Sequence, residues 1–129
     1  MRSHTLKLRT SAPREIQIIT SQVETALKEL GATEGLCTIF TPHTTAAITI
    51  NENADPDVLS DLTRAFEAMI PNVEFDHAEG NSDAHLLSAI IGASVCLPVV
   101  GGKLVLGRWQ GIYFVELDGP RTRQVAVWI

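Results

Sequence analysis

The chain of 129 residues reads as an α+β protein, a single compact domain spanning residues 1–129 with a mainly antiparallel β-sheet and two to three helices. Three observations lead there. Short runs rich in Ile, Val, Thr and Leu follow one another in groups, with few crossovers of helical length between them. Turn formers bracket those runs, notably Ser11-Ala12-Pro13, Gly101-Gly102 and Asp118-Gly119-Pro120. Only three stretches carry helix signals, too few for a doubly wound sheet.

In chain order, Thr5 to Arg9 and Arg14 to Ile19 are expected strands, joined through Ser11-Ala12-Pro13 as a hairpin. Thr20 or Ser21 is expected to cap a helix, with Glu24 in capping-box spacing and Val23, Ala26, Leu27 and Leu30 on one face, ending at Gly31. Gly35 to Thr41 and Ala46 to Asn51 are expected strands around a bend at Pro42-His43-Thr44. Asp55-Pro56 opens a second helix, because Asp accepts bonds from free amides and Pro suits the first helical position. Pro71 stops it. Asn72 to Asn81 reads as a loop with room for a short strand at Val73 to Phe75. Ser82 or Asp83 caps a short helix, Ala84 to Ile91, with His85 in its first turn. Strands follow at Ser94 to Val100, Lys103 to Leu106, Arg108 to Leu117 and Arg121 to Trp128.

Composition narrows the partners. A net charge of −5 and a pI near 5.2 give no general electrostatic reason to bind nucleic acid or an anionic membrane. The longest apolar stretch, Ala89 to Val100, is broken by Gly92, Ser94 and Pro98 and is shorter than the roughly 20 residues a bilayer requires. The N-terminus lacks the continuous apolar run of a secretory signal. Cys37 and Cys96 lie in apolar runs and read as buried free thiols, so the expected compartment is the cytoplasm. Length allows a core burying about two-thirds of the unfolded chain's surface.

The chemistry concentrates in Phe40 to Glu52, which sets His43, the hydroxyls of Thr44 and Thr45, Asn51 and Glu52 among small and apolar residues. His77 and His85 follow downstream. Three neutral imidazoles with an open fourth position can hold a catalytic divalent metal, although loop histidines are more often solvated. Glu52 and Asp83 are the expected proton-transfer groups, each with a competing local role in a turn or cap. Arg108, Gln110 and Arg121 could position a phosphate-bearing substrate. Gly101-Gly102-Lys103 has neither the earlier glycine nor the following hydroxyl of a phosphate-binding loop, and no Gly-x-Ser-x-Gly elbow is present.

Several ordered blocks carry a resemblance: His43-Thr44-Thr45-Ala46-Ala47, Ile50-Asn51-Glu52 with Asp55-Pro56, His77, Asn81-Ser82-Asp83-Ala84-His85-Leu86, Gly102 through Gln110, and Glu116-Leu117-Asp118-Gly119-Pro120-Arg121. Together they resemble the YjbQ-like family, the secondary thiamine-phosphate synthase enzymes, over nearly the whole chain. The resemblance implies a YjbQ-like fold, a homotrimer and a divalent metal, zinc or else magnesium, on His43, His77 and His85. It also implies weak transferase activity that joins a pyrimidine pyrophosphate to a thiazole phosphate.

The resulting expectation is a metal-dependent enzyme acting on a phosphorylated small molecule. Glu52 or Asp83 would move protons, and Thr44, Thr45, Asn51, Arg108, Gln110 and Arg121 would bind substrate. Two alternatives accompany it: a non-catalytic oligomeric metal- or ligand-binding protein, and a metal-assisted hydrolase of another substrate.

Overall fold

A computed structural model describes residues 1–129. Eight strands and three helices follow the order β1 (Ser3–Arg9), β2 (Glu15–Ile18), α1 (Thr20–Glu29), β3 (Glu34–Phe40), β4 (Ala46–Glu52), α2 (Pro56–Ala68), α3 (Ser82–Ile91), β5 (Ser94–Val100), β6 (Lys103–Leu104), β7 (Gln110–Glu116) and β8 (Thr122–Trp128). The strands form two sheets, one ordered β1-β8-β3-β5-β6 and one ordered β2-β7-β4. Every pairing is antiparallel.

Alternation along the strands builds the layers. On β4 and β7, Ala46, Ile48, Ile112 and Phe114 face the five-stranded sheet and meet Leu8, Cys37, Ile39, Val99, Val125 and Val127, with α1 adding Val23, Ala26 and Leu27. The intervening residues, Ala47, Tyr113 and Val115, face the other way, against Ala84 and Leu87 of α3 and Leu59, Leu62 and Phe66 of α2. The three-stranded sheet is thus covered on both faces, which explains why Gly111 to Glu116 are all buried and why Ile112 to Val115 form a continuous apolar run. The outer face of the five-stranded sheet has no layer over it, and Leu36, Phe40, Val100 and Trp128 are exposed there.

The expected hairpin between the first two strands does not form. β1 pairs with β8 and β2 with β7, because Leu8 packs in the main core while Ile16 and Ile18 pack in the helix-side core. The Pro13 turn carries the chain from one sheet to the other. Asp55 caps α2 as its type predicts, its side chain accepting from the Asp57 amide at 2.9 Å with Pro56 at the first helical position. α1 and α3 begin without side-chain caps. Thr20 is instead inside its helix and accepts from the Ile112 amide at 2.9 Å, tying α1 to β7. Val73 to Phe75 form no strand, and β6 and β7 are shorter than expected, leaving Val105 to Trp109 outside the sheets.

Candidate functional site

A cleft of about 480 Å³ opens where the β3–β4 bend, the segment before α3 and the β7–β8 turn meet. Of its eleven lining residues only Pro42, in the bend, has an apolar side chain. His43, Thr44 and Thr45 come from the bend, His77 and Glu79 from the segment before α3, Asn81 and His85 from the start of α3, and Asp118, Arg121 and Arg123 from the turn and β8. A second hollow of similar volume shares Pro42, His43, Thr44 and His85 and continues toward Phe40.

The bend reaches this position because Thr41 is held at both ends. Its amide donates to the Ala93 carbonyl at 2.9 Å and its hydroxyl to the Gln124 carbonyl at 3.2 Å. His43 then accepts from the Gln124 amide through Nε2, at 2.9 Å. Burial together with the Arg123 charge lowers its pKa from the ordinary 6.5. A neutral ring with Nε2 accepting carries its proton on Nδ1. Across the cleft the His77 and His85 rings meet edge to face, with centroids 5.4 Å apart. α3 is fixed to β4 by Ser88, whose hydroxyl donates to the Ala46 carbonyl at 2.7 Å.

The floor is a buried ion pair between the two sheets. Glu116, fully enclosed on β7, accepts from Arg123 Nε at 2.8 Å and from the Thr10 hydroxyl at 2.7 Å. It also accepts from the Leu117 and Asp118 amides at 3.0 and 3.1 Å. Burial pushes the carboxyl up, and the hydrogen bonds from Arg123, Thr10 and the Asp118 amide more than reverse this, so its pKa lies below the ordinary 4.5. Asp118 behaves alike: burial raises it, while Asn81 and Arg121 donate to it and carry it below its ordinary value. The adjoining turn passes so close that a side chain on Gly119 would collide with the Ala12 carbonyl and meet Glu116 Cγ at 2.8 Å.

The structure brings together His43, His77, His85, Thr44, Thr45 and Arg121. It does not bring Asn51, Glu52, Arg108 or Gln110 to them. Those four lie at the opposite end of the β4–β7 pair, where Glu52 is in register with Gln110, whereas the cleft adjoins the end at which Ala46 is in register with Glu116. Glu52 accepts from the Ala54 amide at 3.0 Å in the turn after its strand, and Arg108 stacks on Trp109, 4.8 Å from the ring centroid. Asp83 turns away from the histidines into an ion-pair cluster with Arg14, which also pairs with Glu67. Neither expected proton-transfer carboxylate lines the cleft. Glu79, Asn81 and Asp118 do, although the sequence reading left all three to loops, caps and turns.

The family profile described as UPF0047 protein YjbQ-like matches residues 4–129. The chain belongs to the UPF0047 YjbQ-like family. Among its relatives, the UPF0047 protein YugU of Bacillus subtilis is 53% identical over 121 residues, 92% of each chain. A UPF0047 protein of Methanocaldococcus jannaschii is 45% identical over 94% of this chain and 88% of its own. A Clostridium acetobutylicum crystal structure, described as an uncharacterized conserved protein of the family, superposes with a TM-score of 0.93 at 46% identity, covering 98% of both chains. A Sulfolobus solfataricus structure, described as a protein of unknown function, gives a TM-score of 0.92 at 36% identity, covering 98% of this chain and 94% of its own.

These findings correct the functional expectation. The family relatives carry no thiamine-phosphate synthase activity in their descriptions, and no three His, Cys, Asp or Glu side chains converge to hold a metal ion. His43, His77 and His85 share a cleft, but His43 has committed Nε2 to the Gln124 amide. The donor set as arranged does not fit a three-histidine metal centre, and the reading as a metal-dependent thiamine-phosphate synthase falls.

Proposed function

We propose that this protein binds a small phosphorylated molecule in the polar cleft. One observation carries the reading: Pro42 is the only apolar side chain in the cleft lining, which collects three imidazoles and two guanidinium groups. Pockets for drug-like molecules are mostly apolar with a few polar groups, so a lining of this kind favours a hydrophilic ligand. The arginines, with imidazole N–H groups, suit phosphoryl oxygens. A divalent ion, zinc or magnesium, enters only as a companion of the ligand, because the histidines alone do not converge on one.

Calorimetric titration with inorganic phosphate, pyrophosphate and an unphosphorylated sugar tests this, each run with and without zinc or magnesium. Saturable binding of the phosphates and none of the sugar is expected, weakening as salt rises. Absence of saturable binding by either phosphate under all these conditions would sink the reading.

A homotrimer belongs to the same proposal, supported by the uncovered apolar face around Leu36, Phe40, Val100 and Trp128. Light scattering should give three times the 14.0 kDa chain mass; a monomer at micromolar concentration refutes it. No helix is long and apolar enough to cross a membrane. The two free thiols, Cys37 buried and Cys96 exposed against the expectation of burial, suit a reducing, cytoplasmic setting.

A further inference from the structure

Arg123 has a place in the cleft that its strand neighbours do not explain. It shares the inward face of β8 with Val125 and Val127 and is 3% exposed. An arginine so enclosed normally has its nitrogens satisfied by partners. Here Nε donates to Glu116 at 2.8 Å, and Nη2 donates to Glu116 and to the carbonyl and hydroxyl of Thr45 at 3.1 and 2.9 Å. Nη1 donates to nothing in the chain. The one fully enclosed side-chain polar atom without a partner is Asn81 Oδ1, so Nη1 is open to the cleft that Arg123 lines.

We infer that Arg123 is the anion anchor of the cleft, its Nη1 edge donating to one oxygen of the ligand's phosphoryl group while Glu116 and Thr45 hold the guanidinium in place. The inference rests on the phosphate-binding reading and assigns its central contact. Glu116 neutralises most of the Arg123 charge, so recognition there works through a fixed, directional hydrogen bond. Arg121, exposed and paired with Asp118, contributes instead through a solvated charge. The two arginines therefore differ in their response to salt: screening weakens an exposed charge much more than a buried donor.

The experiment compares wild type, Arg123→Lys and Arg121→Ala in calorimetric titrations with pyrophosphate at low and high salt. Lysine keeps a cation against Glu116 but has no second edge. Arg123→Lys should weaken binding about ten- to a hundredfold at both salt levels, the range for losing one hydrogen bond to a charged group. The loss on Arg121→Ala should shrink as salt rises. In parallel, the Arg123 Nη1 protons of the wild type should shift in NMR spectra during the titration, saturating with the calorimetric affinity. This second measurement needs no variant to fold. Binding by wild type that Arg123→Lys retains in full, or Nη1 resonances that do not move, overturns the inference and leaves the cleft reading standing. No saturable binding by wild type overturns both.

Discussion

The two ends of β4 have similar polar compositions and different surroundings. At the Ala46 end, the hydroxyl of Thr45 and the buried Glu116–Arg123 pair form one hydrogen-bonded assembly that links both sheets, and His43 accepts from the neighbouring Gln124 amide. At the Glu52 end, Asn51, Glu52 and Gln110 accept hydrogen bonds from amides of their own turns, and Arg108 stacks on Trp109. Seven strand residues separate the two ends by roughly 20 Å, so one stretch of sequence supplies two unrelated neighbourhoods. What differs is convergence. Three chain segments distant in sequence meet at the first end, and at the second the polar side chains serve mainly their own turns.

The largest expected difference between the ends is in stability. Arg123→Ala leaves Glu116 enclosed without its cation, and removing one partner of a buried pair costs about 3–5 kcal/mol. Glu52→Ala removes a hydrogen bond in a partly exposed turn and should cost less than about 1 kcal/mol. Urea unfolding of both variants measures this, and equal costs would break the distinction between the ends. Acid should act in the same direction. The folded pKa of Glu116 is lowered, so its contribution is fully present above the ordinary carboxylate value of 4.5 and is lost as pH falls through the lower folded value. Asp118, shifted the same way, adds to this. Glu116→Gln should therefore flatten the acid limb of the stability profile, and an unchanged limb would remove Glu116 from the account.

Next in size is ligand affinity. Arg121→Ala at low salt should weaken pyrophosphate binding about tenfold, the effect of losing roughly 1.4 kcal/mol. Arg108→Ala, Gln110→Ala and Glu52→Gln should leave it unchanged, since all three positions lie at the other end of the sheet. Loss of binding in Arg108→Ala would sharpen the comparison in an informative way: the two ends would then have to meet between copies of the chain.

Part of this arrangement was legible in the sequence. The α+β class follows from strand runs and turn formers, and Asp55-Pro56 marks the start of α2 because capping is local chemistry. His43, Thr44 and Thr45 stand out by residue type, and with His77, His85 and Arg121 they do line one cleft. The β1–β2 hairpin was misread because chain proximity carries no information about which core each apolar face enters. Glu52 was misplaced because proximity in sequence to His43 hides the length of the intervening strand. Asp83 was misplaced because its partner, Arg14, is 69 positions away. Glu116 read as one residue of a closing block, and its burial depends on Arg123 of β8 and on Thr10, just after β1, reaching it from the other sheet. Arg123 offered a visible signal, a cation in register with Val125 and Val127, but that parity alone fits an ordinary strand face.

The smallest effect tests whether β4 transmits anything between its ends. Tyr113 of β7 has its ring in the helix-side core and its hydroxyl at the Glu52 carbonyl, 2.6 Å away. Burial, and secondarily the Glu52 charge, hold the phenol above its ordinary value, so it donates throughout the physiological range. Tyr113→Phe keeps the ring and removes one neutral hydrogen bond, at an expected cost of about 1 kcal/mol in urea unfolding. Because the lost contact is local to the Glu52 end, pyrophosphate affinity at the far cleft should stay that of wild type. A variant that unfolds as expected yet binds several-fold more weakly would show that the two ends are coupled, through the β4–β7 register or through Ala84 and Leu87 of α3, which pack with Tyr113 beside His85.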